Sequence, residues 1–338
     1  MHPSAATQPD NDSVARFMKP DNLLTLDDIR AAARRVSAIS RVTPLRDVSA
    51  AAGRPLFLKC ENLQPGGAFK IRGAYNMIAQ LTGDERRRGV VTFSSGNHGQ
   101  AMALAARELG APALVVMPTT APQIKVDGAR GFGAEVMFAG TTTTERRERA
   151  EAEARARGWT VVPPFDHEWI MAGQGTAGLE ILEQLPEVAA VIVPIGGGGL
   201  AAGVSAAIKL SRPSVKVIGV EPAGAAAMKA SIEAGHPVTL ERTQSVADGL
   251  MAVRPGDLTF AHVRRFVDEI VTVEDEQIID AVLWLQATAQ IVAEPSGAAS
   301  VAAALAGAAP MNGPTVAIVS GGNLSLEKLE EFRRAANR

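Results

Sequence analysis

Short apolar runs and helix-periodic stretches take turns along the chain from about residue 24 onward. The β-rich runs fall at 55–59, 90–93, 113–117, 135–138, 160–162, 190–195, 216–220, 270–273 and 315–319. Most are continuously apolar rather than alternating, the pattern of strands buried on both faces of a parallel sheet covered by helices. Their alternation with helical stretches implies βαβ units and an α/β fold. Thr25-Leu26-Asp27-Asp28 has the form of a capping start and predicts a helix through Ile39. Thr142 and Glu145 repeat the device ahead of a charged helix over 146–157, whose charges read as a solvated face. The strands between 90 and 162 form a compact group within a longer α/β series. That predicts a small domain, 89–166, inserted into a large one made of 24–88 and 167–338, with a ligand cleft between them. Residues 1–23 are polar, lack the apolar core of a signal peptide and read as a flexible tail.

A length of 338 residues agrees with two domains. The 34 basic residues nearly balance 36 acidic ones, so no basic excess is present to hold a phosphate backbone, and nucleic acid is not an expected partner. The stretch 188–208 carries no charge and is long enough to cross a bilayer, but Pro194 and the run Gly196 to Gly199 break it. Strand, glycine loop and helix is the better reading, and no membrane span is expected. A single cysteine, Cys60, forms no internal disulfide; in its apolar-rich run it reads as structural and fits a reducing, cytoplasmic setting.

Four segments carry candidate chemistry. In Gly66-Gly67-Ala68-Phe69-Lys70-Ile71, the lysine sits between two apolar residues, after glycines that let backbone approach a ligand closely. Partial desolvation lowers an amine's pKa and makes it a nucleophile or base, although a surface lysine opening a helix has the same spelling. Ser94-Ser95-Gly96-Asn97-His98 follows an apolar strand and offers a backbone nest for an anion such as a carboxylate, or simply a helix cap. Gly196-Gly197-Gly198-Gly199-Leu200, between a strand and an Ala-rich helix, suits a phosphate. Gly196, Gly198 and Ala201 also satisfy a loose dinucleotide pattern with Glu221 ending the next strand, which leaves a nicotinamide-dependent dehydrogenase open. Ser320-Gly321-Gly322-Asn323 lies at the carboxyl end of the last strand, where a hydroxyl can meet a ring nitrogen. Together these offer an amine, two anion nests and a hydroxyl. Pyridoxal 5'-phosphate (PLP) with an amino acid substrate needs that set.

In motif order, from residue 24 to the C-terminus, the chain resembles the fold type II (tryptophan synthase β-like) PLP family of threonine and serine dehydratases and serine racemases. Gln64-Pro65-Gly66-Gly67-Ala68-Phe69-Lys70 stands where that family usually has Gln-Pro-Thr-Gly-Ser-Phe-Lys. The resemblance implies that Lys70, beside Phe69, carries the cofactor as a Schiff base and acts as a base. It implies that Asn97 bonds the cofactor's 3-oxygen, that Gly196, Gly197, Gly198, Gly199 and Leu200 hold its phosphate, and that Ser320 faces the pyridine nitrogen. A hydroxyl there favours elimination over transamination. Glu294 and Gly249 would lie near the ring, and Ser94, Ser95, Gly96, Asn97, His98 and Phe165 near the substrate.

The resemblance also implies β-elimination of a β-hydroxy amino acid such as L-threonine or L-serine to a 2-oxo acid and ammonia. Serine racemisation with side dehydratase activity is the alternative. Pro164-Phe165-Asp166 resembles the dehydratase form of a segment that more often reads Pro-Asn-Gln in racemases, whereas Ser95 matches the serine that racemases use as a second base. Gly66 and Ala68 depart from the usual Thr and Ser and suggest room for a bulkier substrate such as phenylserine or 3-hydroxyaspartate. Some members hold a divalent cation where this chain has Glu221, Ala225 and Ala227; with one carboxylate missing, no metal is expected. A homodimer is expected, without the regulatory domain of biosynthetic threonine deaminases. A PLP synthase of the cysteine synthase kind is a rival that the Phe165 segment and the Ser94–His98 run argue against.

Overall fold

In the computed structural model, residues 23–94, 96–121 and 123–336 are described. The strands are β1 (Leu45–Asp47), β2 (Leu56–Lys59), β3 (Val90–Phe93), β4 (Ala113–Met117), β5 (Glu135–Phe138), β6 (Thr160–Val161), β7 (Ala190–Pro194), β8 (Lys216–Pro222), β9 (Glu269–Val273) and β10 (Thr315–Ile318). The helices are α1 (Leu26–Val36), α2 (Ser49–Ala52), α3 (Lys70–Ala79), α4 (Gly83–Arg88), α5 (Asn97–Glu108), α6 (Gln123–Gly131), α7 (Thr143–Arg157), α8 (Glu168–Gln184), α9 (Gly199–Ser211), α10 (Ala227–Ala234), α11 (Asp257–Phe266), α12 (Asp275–Ala289), α13 (Pro295–Leu305) and α14 (Leu326–Ala336).

Two sheets result. One has the order β1-β2-β10-β7-β8-β9, parallel except for β1, and the other the order β5-β4-β3-β6, wholly parallel. The continuously apolar strands are the inner ones: every residue of β3, β4, β7 and β10 is buried, as strands covered by helices on both faces must be. The α/β class with parallel-rich sheets is therefore as expected. β1 was not anticipated, because Leu-Arg-Asp has little apolar content; it is a short, mostly exposed antiparallel edge.

The capping signals lie where the sequence puts them. Thr25 with Asp28 and Thr142 with Glu145 both close reciprocal capping boxes. α1 stops at Val36 rather than Ile39, because the amides of Ile39 and Ser40 turn back onto the Val36 carbonyl. α7 begins at Thr143, and its charged face is not wholly solvated: Arg146 is buried and donates to the Thr141 carbonyl and the Thr143 hydroxyl.

Glycine contacts set the relation between the two sheets. α8 runs between α3 and α9. A Cβ on Gly173 would lie 2.6 Å from the Arg72 carbonyl oxygen, and one on Gly175 would lie 2.8 Å from the Gly203 carbonyl oxygen. Three helices thus meet backbone to backbone, which only residues without a side chain allow. α3 also sends Ile71, Ala74, Met77 and Ile78 into the apolar cluster of β3, β4 and α5, so it touches the core of the smaller sheet.

Candidate active site

Lys70 is the first residue of α3, and two constraints fix where it starts. Gly66 and Gly67 turn the preceding loop at φ +80° and +75°, a region that disfavours side chains. The loop is then strapped to the end of β10: the Phe69 amide donates to the Ser320 carbonyl (3.1 Å) and the Gly322 amide to the Gly67 carbonyl (2.9 Å). Asn323 adds a clasp, its amide donating to Gly66 O and to Asn97 Oδ1, both at 2.9 Å. One half-turn on, Arg72 is fully buried and forked between Glu61 (Nε–Oε2, 2.7 Å) and Glu180 (Nη1–Oε1, 2.7 Å). Lys59 completes the network by pairing with Glu180 at 2.5 Å.

The Lys70 amine donates to the Pro164 carbonyl oxygen at 3.0 Å and lies 4.9 Å from the centre of the Phe69 ring. Among the described residues it has no salt bridge. Burial lowers its pKa to about 8, against the opposing pull of the Glu294 charge.

Past β3, the amide of Gly96 donates to the Ser94 hydroxyl at 3.1 Å, and α5 begins at Asn97 without a capping side chain. The Gly99 and Gln100 amides bond the Gly96 carbonyl, which leaves those of Asn97 and His98 without a partner in their own helix. His98 is buried, and its Nε2 lies 3.0 Å from the Val162 carbonyl, which assigns the proton to Nε2. Burial, reinforced by Lys70, pushes this imidazole down to about 3, so it is neutral. The Asn97 amide donates to Glu294, which is buried at the start of α13. Burial, with the nearby Asp248 charge, pushes Glu294 up to about 7.

The tetraglycine turn opens α9, again without a capping side chain, and Gly198 has φ +97°. A Cβ on Gly196 would meet the Gly249 carbonyl at 3.0 Å; on Gly197 it would fall inside the Phe165 ring, and on Gly199 it would lie 2.9 Å from Phe165 Cβ. Leu200 anchors the helix start in the core. The Thr259 hydroxyl holds the Gly197 carbonyl at 2.7 Å. Ser320 donates to the Ser296 carbonyl (3.3 Å), and the Ser296 hydroxyl accepts from the Gly249 amide (2.8 Å), tying the last strand to that turn.

Hydrogen bonds and packing contacts thus link Phe69, Lys70, Asn97, His98, Gly249, Glu294, Ser320, Phe165 and the tetraglycine turn into one cluster. Ser95 lies outside the described residues. Glu221 is not part of this cluster: its two oxygens accept from the Met228 and Lys229 amides, both at 2.8 Å, so it caps α10. Among the described residues, no group of three metal-ligating side chains occurs. Sequence reasoning passed over Pro164, Ser296, Thr259 and Asn323. Asn323 was visible in its motif, and Ser296 follows Glu294-Pro295, but a proline's carbonyl and a distant threonine carry no signal at all.

The residues fit a phosphorylated aromatic aldehyde. An amine of lowered pKa, with no salt bridge among the described residues, is bonded to the segment whose Phe165 packs on a glycine turn that has no capping side chain. On two sheets of this topology, that arrangement defines a fold type II PLP enzyme. Comparison with known proteins agrees: a model of the family "Pyridoxal-phosphate dependent enzyme" matches residues 36–321. The L-threonine ammonia-lyase of Thermotoga maritima is 46% identical over 314 residues, covering 92% of this chain and 78% of the relative. The serine racemase of Schizosaccharomyces pombe is 38% identical over 318 residues, covering 92% of this chain and 98% of the relative. The structure of maize serine racemase superposes with a TM-score of 0.88 at 38% identity, covering 94% and 98% of the two chains. The chain spans about half the length of the biosynthetic threonine dehydratases it also matches. The protein belongs to the PLP-dependent family of threonine and serine ammonia-lyases and serine racemases.

Proposed function

We propose that the protein is an ammonia-lyase that eliminates the β-hydroxyl of L-threonine or L-serine, giving a 2-oxo acid and ammonia. The observation that carries this reading is the desolvated Lys70 amine, bonded to the Pro164 carbonyl and pushed down to about 8, on the segment that also holds His98 at the start of α5 and packs Phe165 on the turn opening α9. A neutral amine accepts a proton, and a carbonyl partner does not compete for it as a carboxylate would.

PLP, when bound, supplies a conjugated system that stabilises negative charge at the substrate α-carbon. The protein's own residues do the rest. The amides opening α5 take the substrate carboxylate, and those opening α9 take the phosphate. Asn97, braced by Glu294 and Asn323, would hold the ring together with Ser320 and Gly249. Lys70 removes the α-proton and holds it as the ammonium. The β-hydroxyl leaves as water with the proton that the Lys70 ammonium gives back, and the released enamine takes up water to give the 2-oxo acid and ammonia. Phe165, packed on Gly197 and Gly199, covers the turn from solvent.

The small substrates are favoured over aryl ones. Ala68 is 2% exposed and bridged to Gly321, so the hydroxyl missing there opens no space in the cleft. The buried thiol of Cys60 fits a reducing compartment, and no described helix is long and apolar enough to cross a membrane. Ammonia release from a panel of L- and D-serine, threonine, 3-hydroxyaspartate and phenylserine tests the assignment; activity confined to the aryl substrate would reject it.

Racemisation is the second reading, supported by the nearly full-length match to the fission yeast serine racemase. Under it, Ser95→Ala abolishes D-serine formation and spares elimination from L-serine; equal loss of both counts against a second base.

A further inference from the structure

Lys125, on α6 beside the smaller sheet, pairs with Asp248, in the turn that carries Gly249 beside the larger sheet. The pair spans the cleft. Its inner end is not at the surface: the Lys125 side chain is 15% exposed, while that of Asp248 is 49% exposed. The Lys125 Nζ lies 3.4 Å from where a Cβ on Gly96 would stand, with Cδ and Cε at 3.8 Å. Gly96 is the residue from which α5 starts, so the ammonium rests against the positive end of a 12-residue helix.

That placement is electrostatically unfavourable unless an anion lies between the two, since cations are stabilised at the opposite helix end. Asp248 supplies an anion from one side, and its exposure allows it to let go. An amino acid's carboxylate, seated on the α5 amides, would supply one from the other.

We infer that Lys125 is a specificity-determining residue of this site: its ammonium forms the cationic half of the α-carboxylate subsite, and Asp248 is exchanged for the substrate across the cleft. This rests on the reading that the α5 cradle receives the amino acid's carboxylate. It explains why a lysine, rather than a neutral side chain, is placed against a helix start with no side chain of its own at Gly96. It also ties occupancy of the cradle to the contact between the two sheets, because the ion pair that changes partner is the one that bridges them.

The test is a spectral titration of the PLP-loaded enzyme with glycine and with glycinamide. Neither ligand has a β-hydroxyl, so the readout is binding and is blind to whether the enzyme eliminates or racemises. In Lys125→Gln, the dissociation constant for glycine should rise about tenfold, the effect of losing one charge-assisted contact, while that for glycinamide moves less than about twofold. Lys125→Arg should stay within about threefold of the parent for both ligands. Equal weakening of the two ligands, unchanged glycine binding in Lys125→Gln, or an arginine variant as weak as the glutamine one each overturns the inference. Failure of the parent enzyme itself to bind glycine would sink the proposed function instead.

Discussion

The side-chain amine of Lys70 donates to the carbonyl oxygen of Pro164 at 3.0 Å, joining the first turn of α3 to the segment that leaves the smaller sheet. The same segment holds His98 through the Val162 carbonyl and covers the tetraglycine turn with Phe165. It then caps α11, where the Asp166 carboxylate accepts from the amides of Asp257, Leu258 and Thr259. Residues 162–166 therefore touch the amine, the buried imidazole and the tetraglycine turn, although sequence reasoning placed only Phe165 of them in the site.

On the proposed function, replacing the Lys70 amine removes both the cofactor's attachment and the base. Lys70→Ala should lower ammonia release from L-threonine by about a thousandfold or more, the upper range of a lost proton-transfer group. Its melting temperature should hold or rise, since burial disfavours the charged amine. Near-parent turnover, with the cofactor still resistant to dialysis after borohydride, contradicts the assignment.

Stability of the cofactor-free protein should follow the two shifted groups in opposite directions. Glu294 is raised from 4.5 to about 7, so the folded chain keeps a proton there that the unfolded chain loses first. Its contribution is present below pH 4.5 and is lost as the pH climbs to 7. Lys70 is lowered from 10.5 to about 8, so the folded chain sheds a proton that the unfolded chain retains, and stability recovers between pH 8 and 10.5. In thermal melts across pH 4.5–7, where the buried His98 pulls the other way, the parent should lose stability relative to Glu294→Gln as the pH rises; parallel curves refute this account.

Gly198 combines φ +97° with close neighbours, since a Cβ there would lie 2.7 Å from Met228 Cε and 2.9 Å from Thr259 Oγ1. Gly198→Ala should cost about 1–3 kcal/mol in urea unfolding through strain and overpacking. On the proposed role of this turn in holding the phosphate, it should also release the cofactor on gel filtration. Full retention of cofactor separates the turn from phosphate binding.

Arg72 uses its guanidinium on Glu61, Glu180, Thr176 and the Arg41 carbonyl, all out of solvent's reach for the arginine. Arg72→Met leaves two carboxylates facing Lys59 alone and should destabilise the fold by about 3–5 kcal/mol. Chemical denaturation measures this; a loss under 1 kcal/mol would mean that the network contributes little to holding α3.

The inner strands were legible because burial on both faces writes an unbroken apolar run, as in Ala113–Met117. Glycine turns after strands were legible for a related reason: few residues besides glycine tolerate the backbone that Gly66, Gly67 and Gly198 adopt. What stayed hidden was carried by polar backbone or by distance. β1 has too little apolar content to stand out, Pro164 acts through its carbonyl, and Lys125 meets Asp248 across 123 residues of sequence. The motif lysine was findable because it is flanked by Phe69 and Ile71; Lys125, between Ile124 and Val126, has the same local dress and lacked only the glycines before it.

The glycine-lined meeting of α3, α8 and α9 has a mechanical meaning. The gap between α3 and α9 is set by main chain touching main chain at Gly173, Gly175 and Gly203, with a single amide side chain, Gln174, held in place by the Gly73 amide. The spacing of the two reactive ends is thereby insulated from repacking elsewhere in either sheet. A single methyl at Gly173 would act as a wedge, and its effect would be read at the active centre rather than in the core where it was inserted.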